Sequence, residues 1–246
     1  MDHEDLRIWL NHFEHHAQHP RCVPSGQSEL LKPEERRLIA RSIATFQLGE
    51  QSQGASLLRA AERFASAQQM PCLPRIVAAL ICEEQRHAAL LRGFMEEQRI
   101  PLKSSHWSDR VFRRIRRLAG LELYVYVLIT AELIGVVYYR ALEAATASRR
   151  LALLCRFLVC DELAHIGFES QLLLALRARR PALLRVLMRL AHRTFFTVTA
   201  SIVWLTHRPV LRQAGHSARG FLRICLAQYA FYLEPARVPL PSPSVP

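Results

Sequence analysis

Glu83-Glu84-Gln85-Arg86-His87 and Asp161-Glu162-Leu163-Ala164-His165 repeat one pattern: an acid, a glutamate, two unconstrained positions and a histidine. On a helix, residues three apart share a face, so each copy aims a carboxylate and an imidazole at one point. Those two groups together are metal-ligand chemistry, combining oxygen donors with an imidazole nitrogen. A single Glu-x-x-His says little, because 17 Glu and 11 His among 246 residues give roughly one match by chance. Two copies, each with an acid directly before the glutamate, are far rarer.

Each copy also follows a lone glutamate by about thirty residues. Glu50 stands in Phe46-Gln47-Leu48-Gly49-Glu50, and Glu132 in Leu128-Ile129-Thr130-Ala131-Glu132-Leu133-Ile134. Glu132 is the more telling of the two. It interrupts the apolar run from Leu123 to Tyr139, where a carboxylate is costly unless paired or bound to a metal. The order along the chain is therefore Glu, Glu-x-x-His, Glu, Glu-x-x-His. Four carboxylates and two imidazoles (Glu50, Glu84, His87, Glu132, Glu162 and His165) suit two iron ions, or manganese, with positions left open.

The elements that must position these six groups are helices. Gly is scarce at 9, hydrophobic residues make up 50% of the chain, and strand-type alternation is hard to find. Pro33 fits the first position of a helix running to about Ala67, with Glu34 and Glu35 favourable in its first turn. The break at Met70-Pro71-Cys72-Leu73-Pro74 opens a second helix over about 74–98. A stretch over 99–119, with Pro101 and a possible cap at Ser108, leads to helices over about 120–147 and 150–179. Pro181 opens a fifth helix to about Leu205, and Ser217 is placed to cap a sixth. Short turns within the first and last pairs of the four ligand-bearing helices make each pair antiparallel. The segment 99–119 is long enough for the crossover between the pairs.

This ligand order resembles that of the ferritin-like di-iron carboxylate superfamily, a group including ferritins, rubrerythrins, ribonucleotide reductase small subunits, acyl-carrier-protein desaturases and bacterial monooxygenases. The resemblance covers about residues 33–180 and implies an all-α, ferritin-like four-helix bundle with two additional C-terminal helices. It further implies two irons bridged by Glu84 and Glu162, with Glu50 and Glu132 as terminal ligands. His87 and His165 would each bind through one ring nitrogen, while Glu83 and Asp161 would orient the histidines from behind. Dioxygen would be the cosubstrate. The absence of a Cys-x-x-Cys pair argues against a rubrerythrin-type peroxidase.

Other residues near the motifs are candidates for a substrate or oxygen pocket. Gln53 lies one turn after Glu50, and Gly54 and Gly135 lie about a turn beyond each terminal glutamate. Tyr139 belongs to a group of tyrosines flanking Glu132. Glu169, one turn after His165, is a candidate seventh carboxylate, although a solvated helix face is the preferred reading. The domain reading is a His-rich, irregular leader over 1–31, a helical domain over 32–234 (bundle 33–180, added helices 181–234) and a Pro-rich tail over 235–246.

A net charge of +12 and a pI near 10.2 point to an anionic partner or surface. Arg110, Arg113, Arg114, Arg116 and Arg117 form one basic cluster; Arg177, Arg179, Arg180, Arg185 and Arg189 form another. Six cysteines without close pairing read as reduced core residues of a cytoplasmic protein, and the chain offers no apparent transmembrane segment. The leading expectation is an oxygen-dependent oxidase or monooxygenase acting on an organic substrate, served by an electron donor, with a second copy of the chain as a candidate partner. The alternatives are a ferroxidase handling iron itself, a tRNA-modifying hydroxylase using the basic surface, and a non-catalytic helical binding protein. An acidic carrier protein is the other anionic partner considered.

Overall fold

The computed structural model describes residues 1–20, 30–51, 54–104 and 120–234, and among these the chain is all-helical. Among the described residues eight helices follow one another: α1 (His3–Gln18), α2 (Pro33–Glu50), α3 (Ala55–Gln68), α4 (Cys72–Glu97), α5 (Leu121–Ala144), α6 (Arg149–Ala178), α7 (Ala182–Gln213) and α8 (Ala218–Leu233).

Local chemistry sets most of the boundaries. Pro33 stands at the start of α2, and Glu35 accepts the Lys32 amide at 3.2 Å. Ser148 caps α6 by accepting from Leu151, and Ser217 caps α8 by accepting from Gly220, as its position in the sequence suggests. The expected helix from Pro33 to Ala67 is instead two helices. α2 stops at Glu50, and α3 starts after Gly54, which adopts a left-handed φ of +63°. A Cβ at Gly54 would lie 2.5 Å from Ile81, so this glycine lets α3 approach α4 and does not open space beside the ligands.

The segment expected to be an irregular leader also differs. Residues His3–Gln18 are helical, with Asp2 and Asp5 capping each other's backbone amides. Leu6, Trp9, Leu10 and Phe13 recur at helical spacing and are all buried, so the histidines occupy the remaining faces of an amphipathic helix. α1 packs on α4, where Glu14 pairs with Arg75 at 2.5 Å, and Trp9 donates to Gln171 of α6 at 2.8 Å.

α5 and α6 form the most extensive helix pair, joined by the short turn before Ser148. α5 is long and apolar enough to cross a membrane, contrary to the expectation that no segment would qualify, yet most of it is buried inside the fold. α7 and α8 pack against α5. α7 extends to Gln213, past the expected end near Leu205 and through Pro209. Of the cysteines described, Cys155 and Cys225 are buried but Cys82 and Cys160 are exposed, so the core reading holds for only part of the set.

Two apolar cores divide the interior. On α4, Leu73, Ile76, Val77 and Leu80 belong to one core, while Leu91, Phe94 and Met95 belong to the other. On α6, Leu151 to Leu158 lie in the second core and Ile166 to Leu176 in the first. Both acid-Glu-x-x-His motifs fall in the gap between them. The sequence therefore places a polar belt across the middle of an otherwise apolar bundle. The crossover over 99–119 and the Pro-rich tail over 235–246 fall mostly or wholly outside the described residues.

Candidate metal centre

Midway along α4 and α6 the two motifs face each other. Two four-residue groups gather there, each with one ligand-capable atom per residue and all four atoms within 4.8 Å of one another. Glu50, Glu84, His87 and Glu162 form the first group; Glu84, Glu132, Glu162 and His165 form the second. Glu84 and Glu162 belong to both. The six residues singled out in the sequence thus converge from α2, α4, α5 and α6.

The acid before each motif reaches across to the other helix. Glu83 on α4 lies 2.8 Å from Nε2 of His165 on α6, and Asp161 on α6 lies 3.2 Å from Nε2 of His87 on α4. The partners of the two imidazoles are therefore exchanged between helices. Each carboxylate accepts the Nε2–H and so leaves Nδ1 facing the cluster, the tautomer a metal-ligating histidine needs. His165 Nδ1 sits 2.9 Å from Glu84 and 3.3 Å from Glu162, and His87 Nδ1 sits 3.3 Å from Glu162.

The protonation pattern follows from this crowding. Burial works against charge on His87, but Asp161, Glu162 and Glu84 outweigh it and hold its pKa up at about 10. Glu162 is desolvated, yet the two imidazoles bring its pKa down to about 2. Glu50 and Glu132 shift upward, first through burial and then through the neighbouring carboxylates. With only two imidazoles among so many acids, the cluster lacks positive charge.

That imbalance tests whether the residues fit metal ions. Glu84 Oε1, His87 Nδ1, Glu132 Oε2, Glu162 Oε2 and His165 Nδ1 are buried without a hydrogen-bond partner. Buried polar atoms are normally satisfied, so this convergence of carboxylates on two imidazoles marks a place for cations, which on binding would displace the imidazole protons. Bonds of about 2 Å to nitrogen or oxygen place opposite ligands roughly 4 Å apart, which the observed clustering accommodates. The donor set is one that could hold metal.

Other sequence candidates sort differently. Tyr139 is buried and donates to Glu50 at 2.5 Å, fixing one oxygen of that carboxylate. Gly135 is buried on α5 and a Cβ there would meet Tyr139 at 3.9 Å, an ordinary contact, so space beside the ligands is not its evident role. Gln53 lies outside the described residues.

Two features were missed, and a third, Glu169, was ranked too low. Glu169 is not solvated: it is 2% exposed and lies close enough to Glu132 to add, after burial, to the upward shift of that carboxyl. Its position one turn after His165 was the available signal. Phe13 of α1 lies over the centre, its ring 5.8 Å from that of His165, and His16 Nδ1 stands 3.7 Å from Glu83. The repeated motif is also longer than first read, since Cys82 and Cys160 occupy equivalent exposed positions before the acids.

A second buried polar group lies between α5, α6 and α7. His192 contacts Thr130 at 3.0 Å through Nε2 and accepts from Arg177 at 2.8 Å through Nδ1. Arg177 is only 4% exposed, so it does not belong to the surface basic cluster in which the sequence placed it. Arg180 pairs with Glu122 at 2.9 Å while remaining exposed, and Arg179, Arg185 and Arg189 are exposed members as well. The cluster from Arg110 to Arg117 lies outside the described residues. No family model, curated protein or solved structure matches this chain.

Proposed function

We propose that the protein is a ferritin-like di-iron carboxylate protein that activates dioxygen to oxidise an organic substrate. One observation carries this reading: two four-residue ligand groups share Glu84 and Glu162. A pair of ions sharing two carboxylates is the arrangement such a ligand set accommodates. Glu50 and His87 would complete one ion's coordination, and Glu132 and His165 the other's. Two ferrous ions held there would supply the electrons for reducing dioxygen, and manganese is the other metal the donors suit.

The chain's own groups supply the rest. Glu83 and Asp161 hold the Nε2–H of the two histidines, which keeps each Nδ1 lone pair directed inward. Tyr139 donates to Glu50 and restrains how far that carboxylate can swing. Glu169, beside Glu132, offers a carboxyl able to hold or pass a proton. Phe13 and the two apolar cores keep bulk water away from the donors. Exclusion of water strengthens every electrostatic contact inside.

The added helices α7 and α8 favour substrate oxidation over simple iron handling, because they extend the fold beyond what the four ligand-bearing helices require. The tRNA reading loses Arg177, which is buried, but Arg179, Arg185 and Arg189 remain exposed on the α6–α7 side. The test is metal analysis of protein from iron-supplemented cells, then anaerobic Fe(II) loading and rapid mixing with oxygen. About two irons per chain, rapid oxygen consumption and no growing ferric mineral are the expected results. Stoichiometric metal without an oxygen reaction would remove the oxidase reading, and mineral growth on further Fe(II) would make the chain a ferroxidase.

A further inference from the structure

A buried centre needs a route by which ions arrive, and α1 carries an unassigned row of imidazoles that ends beside it. His12 and His16 are four residues apart with ring centroids 4.4 Å from each other. His15 and His19 repeat the relation at 4.5 Å, and His15 and His16 join the two pairs at 6.4 Å. Histidines at i and i+4 are neighbours on one helical face, a spacing at which two imidazoles can chelate one divalent ion. His15 and His19 are exposed, whereas His12 and His16 are half-buried. The inner end is defined by His16 Nδ1, 3.7 Å from Glu83, the carboxylate that holds His165.

We infer that the two histidine pairs of α1 form a loading port for divalent metal, with His15 and His19 capturing the ion and His12 and His16 passing it toward the buried centre. This rests on the metal reading of that centre. Each transfer is a ligand exchange: an imidazole lone pair replaces a water or another imidazole, and the ion keeps its oxidation state. Neutral imidazole is a common ligand for such ions near neutral pH. Capture at the helix surface raises the local ion concentration beside Glu83, just as a tethered ligand gains from effective concentration. Helical packing of Leu6, Trp9, Leu10 and Phe13 fixes this row in place, so the port does not depend on the histidines folding around the metal.

Cobalt(II) is a suitable probe, because its visible absorption separates a buried nitrogen–oxygen site from solvated ion. Metal-free protein is mixed with limiting Co(II), and the rise of the buried-site signal is followed for wild type and for the His15→Ala/His19→Ala double variant. The variant should load several-fold more slowly yet reach the same final signal, since neither residue touches the centre. Equal loading rates would overturn the port. A second protein, Glu84→Ala/Glu162→Ala, lacks both shared carboxylates. It should still hold one weakly bound Co(II), lost when His15 and His19 are also replaced; no residual binding would also overturn the port. If wild type shows no buried-site signal while this residual binding persists, the reading of the centre fails and the surface site stands alone.

Discussion

His87 on α4 is held from behind by Asp161 on α6, at 3.2 Å, and not by an acid of its own helix. With Glu83 holding His165 in return at 2.8 Å, the two helices are cross-linked through the imidazoles they present. Asp161→Asn should therefore weaken the ion bound by the α4 histidine, and Glu83→Gln the ion bound by the α6 histidine. Losing such an outer partner typically costs about 10–100-fold in metal affinity. Site-resolved Co(II) titration, read through the paramagnetically shifted ring protons, checks the assignment. A loss on the same helix as the substitution would refute the crossing.

Glu132 and Glu169 are both buried on the second side of the centre, but only Glu132 joins the converging ligand group. Glu132→Ala should leave one ion per chain and abolish oxygen consumption. Glu169→Gln should retain both ions. If Glu132→Ala keeps two metals and full oxygen uptake, the ligand assignment is wrong; a lost ion in Glu169→Gln would make that residue a seventh ligand.

Removing metal should also show in stability. Each occupied site adds about 2.7 kcal/mol when free metal stands a hundredfold above its Kd. In a chain of this size roughly 2–4 °C of melting temperature accompanies each kcal/mol. Dialysis against a chelator should therefore lower Tm clearly, and re-addition of Fe(II) or Mn(II) under nitrogen should restore it. A Tm indifferent to both would count against resident metal.

His192 gives the fold a pH dependence of its own. Burial and then the positive charge of Arg177 lower its pKa from 6.5 to about 3. As pH falls through 6.5, the unfolded chain takes up this proton and the folded chain does not. The stability the neutral ring confers is complete above that pH and is lost below it, by about 1.4 kcal/mol per pH unit until the folded pKa is reached. His192→Gln cannot titrate, so its stability deficit relative to wild type should shrink by about 2 kcal/mol between pH 7 and pH 5. Urea unfolding at the two pH values measures this, and a constant deficit would contradict it.

Gly167 on α6 faces Trp9 of α1, and a Cβ there would lie 2.9 Å from the indole. Gly167→Ala should cost about 1–3 kcal/mol through overpacking. It should also shift Trp9 fluorescence and expose α1 to proteolysis. An unchanged melt and spectrum would show that α1 is not seated there.

The six candidate ligands were legible because their chemistry is expensive anywhere else: Glu132 within an apolar run and two Glu-x-x-His copies have few other physical reasons to occur. The all-helical class followed from composition and periodicity. The end of α2 was not legible, because Gly49 and Gly54 lower helix propensity without saying which of them breaks the helix. α1 was hidden for a different reason. Its abundance of histidines masked the spacing of Leu6, Trp9, Leu10 and Phe13, which is that of an ordinary amphipathic helix. Glu169 and Arg177 were read as surface because isolated charged residues usually are, and only tertiary packing buries them.

α5 also has a consequence for how the chain is made. During synthesis it leaves the ribosome as a greasy segment that insertion or aggregation machinery could recognise. Its principal cover, α6, follows after only a short turn, so the interval of exposure is brief. Glu132, near the middle of α5, makes that segment a poorer passenger for a lipid bilayer. The same carboxylate that sits in the candidate metal centre thus also bears on the fate of the nascent chain.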